Sequence, residues 1–249
     1  MRVALFPTCI VDAVAVDTGV ATVRLLERLG HEVVVPERTT CCGQPAWNAG
    51  HAEPAAEVAR TTLHALDATD AEVIVLPAGS CATMVRVFWQ ELFHLAGDAR
   101  DTAAVRRVVP RVRELSEFLA GDGAPAGLPI ERPEPRPTVY HRSCHMLREL
   151  GIAEEPEGLL DQAATDRRVP EGQGRCCGFG GLFSVKLPEV SVAMADEVLD
   201  AAVATGAERV VGCDASCLMH LEGRAQRREL PLEFEHLADA LERTTREAR

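Results

Sequence analysis

The triplet Cys-Cys-Gly occurs twice in this chain, at Cys41-Cys42-Gly43 and Cys176-Cys177-Gly178, and a lone cysteine precedes each at the same interval. Cys9 stands 32 positions before Cys41, and Cys144 stands 32 before Cys176. A further cysteine follows each triplet, Cys81 lying 39 after Cys42 and Cys217 lying 40 after Cys177. Eight of the nine cysteines thus form two copies of one pattern, offset by 135 positions, or 136 at the last member. Self-similarity at a fixed period marks a duplicated folding unit, and matched thiol groups at fixed spacing point to metal.

The flanks repeat as well. A short apolar run ends just before the leading cysteine in each half (Val3 to Phe6, Val139-Tyr140), and Thr8-Cys9 corresponds to Ser143-Cys144. Val73 to Leu76 leads to Gly79-Ser80-Cys81 as Val210-Val211 leads to Ala215-Ser216-Cys217. A run rich in glycine and proline, residues 121–137, separates the copies and reads as a linker, giving a first cysteine-rich domain at 1–120 and a second at 138–249.

Composition narrows the class. With 47% hydrophobic residues the 249-residue chain can bury a core, but only 4% are aromatic, so Ala, Val and Leu must fill it. A net charge of −12 excludes a broad electrostatic grip on nucleic acid or anionic lipid, because such binding needs Lys and Arg to neutralise phosphates. A secreted disulfide scaffold fits poorly: the cysteine count is odd, the chain is long, and adjacent cysteines bridge each other only under strain. Reduced thiols in a cytoplasmic protein fit better. The start carries one basic residue, Arg2, then an apolar stretch broken by Asp12 and Asp17, which reads as a strand and helix rather than an export signal. The longest membrane candidate, Val73 to Val85, contains Pro77 and Gly79 and falls short of the ~20 residues a spanning helix needs.

Periodicity gives an α/β protein. Val3 to Phe6, Glu32 to Val35, Val73 to Leu76, Thr138 to His141 and Arg209 to Val211 read as strands. Val14 to Leu29, Ala52 to Leu66, Val190 to Ala204 and the segment after Cys217 read as helices, and His236 to Arg246 as a charged helix at the surface. Strands alternating with helices imply parallel sheets, here two pseudo-symmetric Rossmann-like halves with their cysteines beyond the carboxyl ends of the strands, where such sheets place ligands.

Thiolates bind zinc and iron alike. Structural zinc sites usually draw ligands in C-x2-C pairs; neither set has one, and adjacent cysteines suit a cluster that offers a separate iron to each sulfur. Zinc and metal-free catalytic thiols remain the alternatives. Gly43, Gly178 and the neighbouring Gly174, Gly180 and Gly181 permit close backbone approach to such a group. His141 and His145 flank Cys144 and could ligate or tune such a group, but read by default as structural or solvated; Arg142 and Lys186 could ease the negative charge of a cluster or substrate but read by default as solvated, and Trp47 as packing for its loop. Cys213, the ninth cysteine, ends a strand and reads as a small buried apolar residue, with a fifth ligand as the alternative. No G-x-G-x-x-G follows a strand, which argues against a bound nicotinamide.

Cys-x31-Cys-Cys-Gly in both halves, Gln44-Pro45-Ala46 after the first triplet, Pro77-Ala78-Gly79-Ser80-Cys81, Phe179-Gly180-Gly181 after the second triplet, Phe183 to Lys186 and Ser216-Cys217-Leu218 together resemble the cysteine-rich CCG-domain family of iron–sulfur oxidoreductase subunits. The likeness is strongest to its lactate-utilization branch and runs nearly end to end. It implies a cytoplasmic iron–sulfur electron-transfer subunit of a three-protein system oxidising L-lactate to pyruvate, beside a ferredoxin-like iron–sulfur partner and a third small protein. More distant resemblances are to the cysteine-rich subunit of heterodisulfide reductase, the glycolate oxidase iron–sulfur subunit and the anaerobic glycerol-3-phosphate dehydrogenase small subunit. The heterodisulfide reductase pattern ends in Cys-x2-Cys, whereas this chain has Ala78 and Asp214 at the first of those positions. The expectation is therefore one four-thiolate cluster per half, [4Fe-4S], held by Cys9, Cys41, Cys42 and Cys81 and by Cys144, Cys176, Cys177 and Cys217.

Overall fold

A computed structural model describes residues 1–247. In chain order the first half contains β1 (Arg2–Leu5), α1 (Cys9–Val14), α2 (Val16–Arg28), β2 (Glu32–Val34), α3 (Gln44–Asn48), α4 (Ala52–Asp67), β3 (Val73–Leu76), α5 (Gly79–Thr83), α6 (Trp89–Ala96), α7 (Ala99–Val108), β4 (Val112–Glu114) and α8 (Leu115–Ala120). The second contains β5 (Pro137–His141), α9 (Glu154–Gln162), β6 (Asp166–Arg168), α10 (Leu182–Lys186), α11 (Pro188–Ala204), β7 (Arg209–Gly212), α12 (Ala215–Arg227), β8 (Glu233–His236) and α13 (Leu237–Thr245). A π-helical turn, Met84–Phe88, joins α5 to α6, and another, Met146–Leu150, follows Cys144.

Two four-stranded parallel sheets result, ordered β2-β1-β3-β4 and β6-β5-β7-β8. The central pairs keep corresponding registers, Leu5 opposite Val75 and Tyr140 opposite Val211. Parallel sheets are covered on both faces, so their central strands are almost continuously apolar; Val3, Ala4, Leu5, Ile74, Val75, Leu76, Val210 and Val211 are all buried. The same strand order twice makes the fold a duplicated α/β architecture. Each strand order reverses direction between its two central strands, which opens a crevice beyond their carboxyl ends.

The halves share a core. Val3, Leu25, Val75, Leu115 and Phe118 from the first pack in one apolar cluster with Tyr140, Ile152, Leu159, Val211, Leu237 and Leu241 from the second. Helices α2 and α8 meet α13 and α9 there, so a helical layer lies between the sheets. The closing helix is therefore not a solvated surface element as its charges suggested. Leu237, Ala238 and Leu241 turn inward, and its charges are paired: Arg243 with Glu134 and Glu235, Glu242 with Arg28 at 3.1 Å. The run from 121 to 136 has no regular element but is held down, with Glu131 and Arg132 amides donating to Thr244 O at 2.9 Å. The helix expected over Val14 to Leu29 starts earlier, at Cys9, and breaks at Ala15. No helix among the described residues is long and apolar enough to cross a membrane.

Candidate metal centre

Each cysteine stands just beyond a strand. Cys9 begins α1 after β1, and Cys144 follows β5; Cys81 lies in the first turn of α5 after β3, and Cys217 in the first turn of α12 after β7. The adjacent pairs occupy the irregular loops after β2 and β6. Two glycines set these loops. Gly43 has φ +88° and Gly178 φ +86°, and a Cβ would lie 2.6 Å from Ala55 O in one case and 2.5 Å from Ser191 O in the other. Both the left-handed backbone and the pressure of α4 or α11 demand glycine at the third triplet position. Ser191 also ties the second loop down, donating its hydroxyl to Gly178 O at 2.8 Å, and Trp89 donates its indole N–H to Cys42 O at 2.8 Å.

The four thiols of each half come together. Sγ of Cys9 lies 3.7 Å from that of Cys41, and Cys42 3.3 Å from Cys81; in the second half Cys144 lies 3.8 Å from Cys176, and Cys177 3.1 Å from Cys217. Cys42, Cys81, Cys177 and Cys217 are buried, and their four partners are half-buried. Thiol hydrogen bonds from Cys42 and Cys9 hold Cys41 well below the usual thiol range, and those from Cys144 and Cys177 do the same for Cys176. Their donors Cys9, Cys42, Cys144 and Cys177 are correspondingly raised, burial adding to the effect. Each set thus presents one thiolate ready for a metal, and binding displaces the remaining protons. Backbone N–H groups also point at sulfur: Gly43 N to Cys41 and Gly178 N to Cys176, both at 3.4 Å, and Phe179 N to Cys177 at 3.5 Å. Four screened sulfurs and amide donors per half fit an iron–sulfur or other thiolate-bound metal group.

Both sets line one cavity of 210 Å³. Polar side chains of Gln44, Asn48, Ser80, Ser143, Asp214 and Ser216 share its wall with Gly180, Gly181 and His145, and no Arg or Lys is among the described residues that line it. Two hydrogen bonds close the seam beneath: Gly79 N donates to Cys213 O at 3.1 Å, and Ser80 N to Asp214 Oδ2 at 2.9 Å. Gln44 donates its amide to Ser80 O at 3.0 Å, linking the first triplet loop to α5.

The remaining residues singled out in the sequence divide. Cys213 is buried in the cluster between the sheets, where Tyr140 OH donates to its sulfur at 3.3 Å and burial pushes its thiol up. Arg142 is not solvated but paired with Glu157 at 2.6 Å; Lys186 is exposed on α10. Trp47 stacks at a tilt on Phe88 with ring centroids 6.1 Å apart. His141 is not solvated: it ends β5, is buried, and lies within 4.8 Å of the Cys177 and Cys217 sulfurs. Sequence reasoning missed Asp214 as a wall residue, although its mismatch with Ala78 across the repeat marked it. It missed Ser191 and Trp89 entirely, since neither belongs to a motif.

The arrangement defines a class, a duplicated α/β protein with a set of four clustered thiols in each half. The family model for the CCG cysteine-rich domain matches residues 3–86 and again 138–222. Lactate utilization protein A 1 of Bacillus cereus is 39% identical over 246 residues, covering 97% of this chain and 98% of that one. Lactate utilization protein A of Bacillus thuringiensis matches with the same identity and coverage. The chain belongs to the cysteine-rich CCG-domain family, in the branch that contains the lactate utilization A proteins. A hypothetical protein from Helicobacter pylori, known from a crystal structure, shares the fold with a TM-score of 0.66 at 8% identity; the match covers 100% of this chain and 49% of that larger one.

Proposed function

We propose that this chain is the iron–sulfur electron-transfer subunit of an L-lactate-oxidising system in the cytoplasm, with one [4Fe-4S] cluster in each half. Cys9, Cys41, Cys42 and Cys81 would hold the first, and Cys144, Cys176, Cys177 and Cys217 the second. The carrying observation is that both thiol sets line the same cavity. The relatives' names supply the substrate. The division into a first domain at 1–120, a linker at 121–137 and a second domain at 138–249 follows the two ligand sets.

Oxidation of a 2-hydroxy acid to a 2-oxo acid releases two electrons, and iron–sulfur clusters, when bound, pass electrons singly, so two centres match the stoichiometry. The chain's own residues prepare the sites: Gly43 and Gly178 turn the backbone, amides of Gly43, Gly178 and Phe179 favour charged sulfur, and Ser80 and Asp214 lock the halves. The absence of any Arg or Lys among the described residues lining the cavity disfavours direct capture of a carboxylate substrate there. Lactate itself then reacts elsewhere in the system, with a ferredoxin-like iron–sulfur protein and a third small protein as partners.

Anaerobic purification tests the reading. The protein should be brown, with acid-labile sulfide comparable to iron and paramagnetic resonance signals from two centres after reduction. Fully metallated protein with zinc and no sulfide would end it.

A further inference from the structure

The pseudo-symmetry of the thiol sets breaks at one position. Phe6 and His141 both stand three residues before the leading cysteine, and both continue the equivalent central strand beyond the matched pairs Leu5–Val75 and Tyr140–Val211. Phe6 is wholly buried and belongs to the same apolar cluster as Cys42 and Cys81. His141 is buried beside Cys177 and Cys217, one ring nitrogen within 4.8 Å of both sulfurs, and its Nε2 has no hydrogen-bond partner. An unpartnered buried polar nitrogen costs about 1–3 kcal/mol, so a partner is called for. The neighbouring sulfurs are the acceptors that geometry offers. Four thiols already complete the donor set of the second half, so the ring is surplus as a ligand.

We propose that His141 donates a hydrogen bond to a sulfur of the second centre, and that this makes the two centres unequal, the second having the higher reduction potential. The inference rests on the iron–sulfur reading above. A donor at sulfur stabilises the more negative, reduced state, and therefore raises the potential. Phe6 supplies no donor to the first centre. His141 acts as a positioning and tuning residue, not a ligand.

The test uses the full chain, loaded with iron and sulfide. His141→Phe reproduces the first half's residue and should retain the iron and sulfide of both halves. It should shift one midpoint potential downward by a factor of at least ~10 in equilibrium constant, about 59 mV for a one-electron couple, and leave the other unchanged. Cys217→Ala, which should lack the second centre, identifies the one that moves. His141→Gln keeps an N–H donor and should remain near the parent value. Unchanged potentials in His141→Phe overturn the proposal, and so does loss of the second half's iron, which would make the ring a ligand. If the Phe variant does not fold, pulsed paramagnetic resonance on the parent chain labelled with 15N-histidine decides: a weak coupling that disappears in His141→Gln supports the proposal, and a strong or absent coupling overturns it. Protein without iron and sulfide fails the earlier reading instead, a distinguishable result.

Discussion

The Ser80 amide donates to the Asp214 carboxylate at 2.9 Å, so a side chain of the second half fixes the start of the helix that carries Cys81 in the first. The other carboxylate oxygen accepts the Ser216 hydroxyl at 2.6 Å, one residue before Cys217. One buried group thus braces both following cysteines. Its counterpart across the repeat is Ala78, which has nothing to donate or accept beyond its backbone.

Asp214→Ala should lower unfolding stability by about 1–3 kcal/mol, the cost of removing the acceptor of the part-buried amide in the first turn of α5. Asp214→Asn, which keeps an acceptor oxygen for Ser80 N, should lose less. Denaturant titration of both variants measures this; an alanine variant as stable as the parent would show that the seam is held elsewhere.

The triplet glycines separate conformational strain from steric collision. Gly50 also has a left-handed backbone, φ +81°, but a Cβ there meets nothing within 4 Å. Gly50→Ala should therefore cost only about 1–2 kcal/mol of backbone strain. Gly43→Ala and Gly178→Ala add a collision with Ala55 O or Ser191 O and should cost more, with loss of iron from the affected half. Equal destabilisation at all three positions, with iron retained, would remove the collision from the account.

Cys213 and Cys217 lie four residues apart yet face different surroundings. Cys217→Ala should remove the second centre, whereas Cys213→Ala should leave iron content and spectrum nearly unchanged and cost about 1 kcal/mol through the lost Tyr140 contact. Iron analysis of the two variants decides, and equal losses would give the second half five ligands.

Cysteine spacing and the apolar central strands made the duplicated α/β fold legible in the sequence, because both are local patterns. Of the edge strands only β2 was legible, over Glu32 to Val35; β4 was not, nor were β6, Asp166–Arg168, and β8, which begins at Glu233, charged segments that pair on one side only. The burial of α13 was hidden for another reason. Its charges resemble a solvated face until Glu134 and Glu235, distant in sequence, are seen to pair with Arg243. His141 ended an expected strand, but what its ring would meet was not legible: with β5 beside β7 it stands opposite Gly212, at a strand end beside thiols. Strain at Thr8, which has φ 74° while buried just before Cys9, has no sequence signal at all.

Glu114 yields a pH prediction independent of metal. It ends β4 with no exposure and caps α8: Oε2 accepts Ser116 N at 2.7 Å, the Ser116 hydroxyl and Glu117 N at 3.3 Å, while Oε1 is buried without a partner. Burial outweighs these bonds and pushes its pKa up from 4.5 to about 7. Between those values the folded chain keeps a proton that the unfolded chain has released, so stability falls as pH rises through the window. The loss is complete above the folded value and amounts to ~3 kcal/mol at 1.36 kcal/mol per pKa unit. Glu114→Gln cannot titrate. Relative to the parent, its unfolding free energy should gain by about that amount between pH 4 and pH 8, whatever constant offset the substitution brings. His141, which burial holds near pKa 4, titrates in both chains and cancels in the difference. Denaturant titrations across this range give the difference directly, and a gap that stays constant with pH would mean that Glu114 titrates alike in the folded and unfolded chains.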